Sequence, residues 1–523
     1  LAATALQRKD FAAQGNLLAA ATFMGTLLTM GEIPGTYPNL TLRLVNVLLV
    51  TLVLYAYSRW SAVPGAEITR HMGAIHTSAA TILMASLMWY ELPGAWTAVV
   101  WMAFALLLVV LGRGLGRRDL PLEGQVLAVA AVARVLLVNV RVEDSLRGVS
   151  LRLITMAGVA VAAYVLSRWA ELKDVALSKH FSAVWTWAGS LIAALLIYYE
   201  LRPISVAVGW AAFGVLLFEL GSTTRSRALR LQGYTAMAAS FARLFFVNLN
   251  AETVPGELSA RVYTILPLAL AYFYVYARIA GASEEELATE RSLRVAHVHA
   301  WFGTIALAAL MRFELDPNWV AAGWAGLVLA AMAASWMTEK RVFLAQALVM
   351  SYAVLFRGLM YNLYGTATPS ELWTQGRLMT VGAAVGVLLL SLPFAFKLRL
   401  LPADRPHASW LARLTHRPEQ HLFFLPVAMA TLLFFREMHS GMITVSWGVE
   451  GVVVFLIALA AGERSYRLTG LSLLLLCVGK IVVLDVWEMG MRDRTITFVV
   501  LGLALLVVSF LYNRFRDTIR QYI

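Results

Sequence analysis

Residues 91–139 read ELPGAWTAVVWMAFALLLVVLGRGLGRRDLPLEGQVLAVAAVARVLLVN. Two apolar runs, at about 95–112 and 122–140, flank the basic turn GRGLGRRD at 112–119. Each run is long enough to cross a hydrocarbon core as a helix. Four residues punctuate the stretch: Glu91, Trp101 ten positions on, Arg134 thirty-three beyond that, and Asn139 five further. The same spacing returns as Glu200, Trp210, Arg243 and Asn248, as Glu314, Trp324, Arg357 and Asn362, and as Glu437, Trp447, Lys480 and Asp485. An arginine opens the following apolar run in every series, as Arg152, Arg261, Arg377 and Arg494, at an offset that varies with the preceding loop.

Constant register over four series predicts internal duplication, with a unit of four helices stacked in tandem. The expected boundaries are a half repeat at 1–59, then repeats at 60–169, 170–279, 280–394 and 395–523. Gly15 precedes Gly124 by the same 109 residues that separate Gly124 from Gly233, and Arg43 takes the place of the later helix-opening arginines. The chain thus opens in mid-unit, at Leu1, and is expected to be part of a protein that is longer at its N-terminus.

Extending the same reading along all 523 residues gives eighteen apolar stretches, from 14–30 to 493–512, joined by short connections. The expected fold is an all-α polytopic membrane protein of about eighteen transmembrane helices. Composition agrees: 60% of residues are hydrophobic and 14% charged, against about 25% charged in ordinary soluble domains. That excludes a soluble enzyme and a disordered chain. The net charge of +12 does not call for nucleic acid. The basic loops GRGLGRRD, TRSRALR at 224–230 and TEKR at 338–341, with the tail YNRFRDTIR at 512–520, fall on the side of the termini if the crossings are even in number. Positive charge marks the cytoplasmic face, so both termini are expected there, in a bacterial cytoplasmic membrane.

On that topology Glu91, Glu200, Glu314 and Glu437 end the first helix of each unit. Arg134, Arg243, Arg357 and Lys480 lie near the end of the third, with Asn139, Asn248, Asn362 and Asp485 just beyond. Arg152, Arg261, Arg377 and Arg494 start the fourth. All sixteen are expected to form a structural polar layer, because carboxylate, guanidinium and amide groups can satisfy one another where isolated burial is costly. The tryptophans fall near mid-membrane and read as packing residues. Glu450, three positions after Trp447, breaks the pattern: the equivalent residues are Phe104, Phe213 and Leu327. A mid-membrane carboxylate present in one series is either a candidate for proton or ion transport or one member of a private structural pair, for which Lys480 is a candidate partner.

His71 and His180 share one register position, as do His76 and His299, with His297 nearby; their spacing builds no ligand set, and neither a metal nor another cofactor is expected. A single cysteine, Cys477, excludes an internal disulfide. ASEEELATER at 282–291 reads as a solvated linker. No phosphate-binding loop, dinucleotide fingerprint, HExxH pair or nucleophile elbow is present, and no catalytic residue is assigned.

The C-terminal stretch 467–517 resembles the bacterial predicted membrane proteins grouped as domain of unknown function 2339, through Arg467, Gly470, Lys480, Asp485, Tyr512, Arg514, Phe515 and Arg516. The resemblance implies a multi-pass architecture and an N-terminally longer protein, and brings no chemistry with it. The leading expectation is a non-enzymatic scaffold or assembly subunit of an envelope complex, contacting membrane lipids and other membrane or envelope proteins but not nucleic acid, with oligomers allowed. The alternatives are a proton- or ion-coupled transporter or channel using Glu450, and an intramembrane enzyme acting on a lipid-linked substrate.

Overall fold

A computed structural model of the chain describes residues 9–32, 36–37, 40–59, 71–169, 178–251, 258–282, 287–365, 376–400, 415–438, 440–481, 483 and 491–514. It divides into two compact units, Leu1–Arg243 and Leu244–Ile523. The first holds α1 (Lys9–Thr29), α2 (Leu42–Ser58), α3 (Met72–Glu91), α4 (Thr97–Gly114), α5 (Asp119–Leu137), α6 (Leu151–Trp169), α7 (Ser178–Glu200), α8 (Val206–Thr223) and α9 (Arg227–Arg243). The second holds α10 (Ala260–Gly281), α11 (Val295–Glu314), α12 (Val320–Thr338), α13 (Arg341–Arg357) and α14 (Arg377–Leu398, interrupted at Ser391). It continues with α15 (Pro418–Glu437), α16 (Ser440–Ala461), α17 (Arg464–Lys480) and α18 (Met491–Arg514).

Helices occupy all eighteen apolar stretches, but twelve among the described residues are long and apolar enough to cross a membrane, which corrects the expectation of about eighteen crossings. The shortfall has local causes. α2 and α17 are only 17 residues long. α9 carries Arg227, Arg230 and Arg243 in 17 residues, α17 carries Arg464, Arg467 and Lys480, and α11 contains His297, His299 and Arg312. Charge on a helix shortens what hydrocarbon can hold. The orientation argument, which counted eighteen crossings, loses its count.

Within the first unit the closest helix pairs are α2 with α3, α4 with α5, α6 with α7 and α8 with α9; in the second they are α10 with α11, α12 with α13, α12 with α14, α14 with α15 and α16 with α17. Small residues set the approach of several pairs. A Cβ at Gly124 of α5 would stand 2.7 Å from the Ala105 carbonyl oxygen on α4. At Gly233 of α9 it would stand 2.7 Å from that of Gly214 on α8, and at Gly470 of α17, 3.0 Å from that of Gly451 on α16. Backbone thus lies on backbone, the contact that drives helix association where both surroundings are apolar. The loop before α6 is a two-residue hairpin, Ser145–Leu146 against Val149–Ser150, turned by Arg147 and Gly148 at φ of 52° and 84°.

Gly233→Ala therefore lowers the thermal midpoint of the purified protein, by an overpacking cost of about 1–3 kcal/mol. Gly25→Ala on α1, where a Cβ meets nothing within 4 Å, leaves the midpoint unchanged or raises it. Equal midpoints for the two variants would contradict the backbone contact.

Candidate functional site

The conserved spacing of the four series becomes a set of bonds to backbone carbonyls. The tryptophan indoles donate Nε1 to the carbonyl sixteen residues earlier: Trp101 to Ala85 at 2.9 Å, Trp210 to Ala194 at 2.9 Å, Trp324 to Ala308 at 2.9 Å and Trp447 to Thr431 at 3.0 Å. Arg134 donates to the Gly94 carbonyl at 3.0 Å, Arg243 to Pro203 at 3.1 Å and Arg357 to Pro317 at 2.9 Å, in each case forty residues back. Asn139 and Asn362 donate to the Ala95 and Asn318 carbonyls at 2.7 and 2.8 Å. Asn248 is buried. These carbonyls lie in the turns between the first and second helices of their series, where chain direction changes and helical partners run out. The guanidinium of Arg134 also stacks on Trp89, and that of Arg357 on Tyr361.

The glutamates take different partners. Glu91 faces Arg43 at 3.7 Å, Glu200 faces Arg152 at 2.8 Å, Glu314 faces Arg261 at 3.4 Å and Glu437 faces Arg377 at 3.1 Å. Each carboxylate is thus paired with the arginine that opens the helix immediately before its own, while the arginine of the third helix serves the turn. The sequence left that choice open. Ser150 and Ser259 donate to the same carboxylates, at 2.9 Å to Glu200 and 2.6 Å to Glu314. A further group joins Arg399 to both Glu463, at 2.6 Å, and Glu419, at 3.6 Å.

A fifth column escaped the sequence reading. Thr81 bonds Glu123, Ser190 bonds Gln232 at 2.6 Å and Thr304 bonds Gln346 at 3.0 Å, always across 42 residues and ten before the series glutamate. The fourth series has Val427 and Thr469 there. The fixed interval was present in the sequence, but its members are Thr or Ser and Glu or Gln, so no one residue type holds either position throughout.

The fourth series departs elsewhere too. Lys480 donates to Thr444 Oγ1 at 3.0 Å. Asp485 lies outside the described residues, and of Arg494 only its place in α18 is described. Glu450 is 8% exposed. Its Oε1 accepts a hydrogen bond from Thr431 Oγ1 at 2.9 Å, while its Oε2 is buried without a hydrogen-bond partner among the described residues. No ion pair joins it to Lys480 within 4.0 Å, and its hydrogen-bonded partner among the described residues is Thr431. Thr431 is itself a departure: it stands where Ala85, Ala194 and Ala308 accept the indole bond in the other series. Two substitutions, an alanine position turned to threonine and an aromatic or leucine position turned to glutamate, are in contact.

The histidines are engaged individually. His76 Nε2 bonds Asn16 Oδ1 at 2.9 Å and its ring meets Tyr57 edge-on. His299 donates Nδ1 to the Val295 carbonyl at 2.9 Å, and burial holds its imidazole below the ordinary pKa although that bond acts in the opposite direction. His71 is exposed, and the side chain of His180 lies outside the described residues. Among the described residues no three His, Cys, Asp or Glu side chains converge on a common point.

Residues 260–515 match the family described as Predicted membrane protein (DUF2339). No curated protein and no solved structure matches the chain. The C-terminal portion thus matches a family of predicted multi-pass membrane proteins, and with twelve apolar helices of spanning length the chain is a multi-pass membrane protein.

The carboxylate pairing is testable by a double-mutant cycle. Arg152→Ala with Glu200→Ala is expected to return a coupling of about 0.5–3 kcal/mol in detergent unfolding, and Arg243→Ala with Glu200→Ala a smaller one. The reverse order would show that the third-helix arginine is the true partner.

Proposed function

We propose that this multi-pass membrane protein is a proton- or ion-coupled transporter or channel in which Glu450 is the coupling carboxylate. The observation that carries the proposal is the contact of Thr431 with Glu450, two departures from the repeated pattern brought together on neighbouring helices. A carboxyl group inside a membrane is costly, and one oxygen of this one has no donor among the described residues. Packing gives no reason for it, because Phe104, Phe213 and Leu327 fill the equivalent positions. A group that must exchange a proton or cation needs an unclaimed oxygen, and Glu450 Oε2 offers one. The multi-pass architecture and the basic loops between its helices fit an inner-membrane location.

In the same proposal the sixteen residues of the four series are structural. Glu91, Glu200, Glu314 and Glu437 tie successive helices through arginine, and the remaining arginine and asparagine side chains close the turns. Tandem units bounded at 59/60, 169/170, 279/280 and 394/395 account for the recurrence of these bonds. That recurrence also favours a second reading, an assembly subunit whose regular body presents a surface to envelope proteins; gentle extraction would then recover a stoichiometric partner.

In liposomes holding the purified protein, Glu450→Gln is expected to abolish proton- or cation-driven flux while the thermal midpoint stays near that of the parent. Flux that survives the substitution, or none from the parent under proton, sodium and potassium gradients, would overturn the proposal.

A further inference from the structure

The fourth series replaces groups that cannot exchange a proton with groups that can. Lys480 stands where the other series have Arg134, Arg243 and Arg357, and Glu450 where they have Phe104, Phe213 and Leu327. A guanidinium keeps its proton in proteins, whereas an ammonium can release one and a carboxylate can take one up. The sequence makes the same exchange at Asp485, against the amides of Asn139, Asn248 and Asn362.

The helix ends put Lys480 on the approach to Glu450. Five residues separate Glu91 from Thr97, Glu200 from Val206 and Glu314 from Val320, but only two separate Glu437 from Ser440. The residue forty before Lys480 is Ser440, already the first of α16, so its carbonyl belongs to a helix and not to a turn. Lys480 Nζ reaches Thr444 Oγ1 instead, at 3.0 Å and one helical turn further in. Thr444 is buried and replaces Ala98, Ala207 and Ala321. Ser446 replaces Val100, Gly209 and Gly323, and lies one turn before Glu450 on the same side of α16. Beyond Glu450 the helix reads GVVVFLIALAA, residues 451–461, with no polar side chain. The hydroxyls of α16, which both donate and accept, therefore lie between Glu450 and the Glu437 end of the helix.

The same surroundings serve a metal ion poorly. Oxygen-ligated cations take about six oxygens. Glu450 brings two, and Thr431 adds its hydroxyl at 2.9 Å from Oε1. The Thr431 carbonyl is already taken by the Trp447 indole at 3.0 Å. Among the described residues Glu450 belongs to no group of three or more acid, histidine or cysteine side chains. A proton needs one oxygen, and binding at Oε2 leaves the side chain uncharged, as Phe104, Phe213 and Leu327 are.

We infer that the ion exchanged at Glu450 is a proton, which arrives from the Glu437 end of α16 by way of Lys480 and the hydroxyls of Thr444 and Ser446. Lys480 keeps its structural bond to Thr444; it passes a proton inward and regains one from the Glu437 side, ending as it began. The inference rests on the reading of Glu450 as the coupling carboxylate. The test compares liposomes holding the parent, Glu450→Gln, Lys480→Arg or Thr444→Ala. An enclosed pH-sensitive dye follows protons, and radioactive sodium and rubidium follow metal cations with no pH gradient imposed. Expected is proton movement that Glu450→Gln stops. Lys480→Arg and Thr444→Ala, each of which restores the residue of the other series, are expected to slow it by about tenfold or more at thermal midpoints near the parent's. Sodium or rubidium movement that Glu450→Gln stops, without proton movement, would overturn the inference and leave the transport reading standing. Parent proton rates in both Lys480→Arg and Thr444→Ala would overturn the route. No Glu450-dependent movement of any of the three ions would overturn the transport reading and the inference with it.

Discussion

A polar group carried into hydrocarbon has to find its partner inside the protein, and in this chain the groups that most need partners are the carbonyls at the turns that follow each series glutamate. Gly94, Ala95, Pro203, Pro317 and Asn318 sit where one helix has ended and the next has not begun, and each receives a donor from a helix about forty residues further on. That requirement explains why arginine and asparagine recur at fixed distances in an otherwise apolar sequence. Arginine suits it because its stem can lie along apolar surface while the fork reaches a carbonyl and an aromatic face together.

Against this rule, the fourth series is instructive. It has lost the hydroxyl-to-amide contact, with Val427 in the hydroxyl position, and gained Thr431 one helical turn later on the same helix, facing Glu450 on α16 instead of a residue on α17. A polar contact has therefore moved along the helix and changed partner, and in moving has acquired a carboxyl oxygen with no donor among the described residues. The first series keeps the contact in place but exchanges the amide for Glu123. Both departures put an ionisable group where the other series have a neutral one.

Much of the bonding was legible in the sequence because it is local in register. The Glu, Trp, Arg and Asn intervals survive four times, and the structure turns the tryptophan and arginine intervals into bonds of constant span. What could not be read was the choice among partners. Glu200 has two arginines, Arg152 and Arg243, in positions that topology alone does not rank, and the one chosen belongs to the preceding helix. The number of crossings was overestimated because α9 and α17 have the apolar periodicity of spanning helices but devote three positions each to basic residues. The Thr/Ser to Glu/Gln column stayed hidden since its members share hydrogen-bonding capacity rather than identity.

The central claim is that ions reach Glu450 in the course of transport but do not reach Phe104, its equivalent, although the two side chains are about equally buried. Cys477 is the single cysteine, so Cys477→Ala gives a background in which position 450 can be probed alone. With cysteine placed at 450, or in a separate protein at 104, the account predicts that a small charged thiol reagent added to sealed membranes modifies position 450 and leaves 104 untouched. Equal protection at both positions would contradict it.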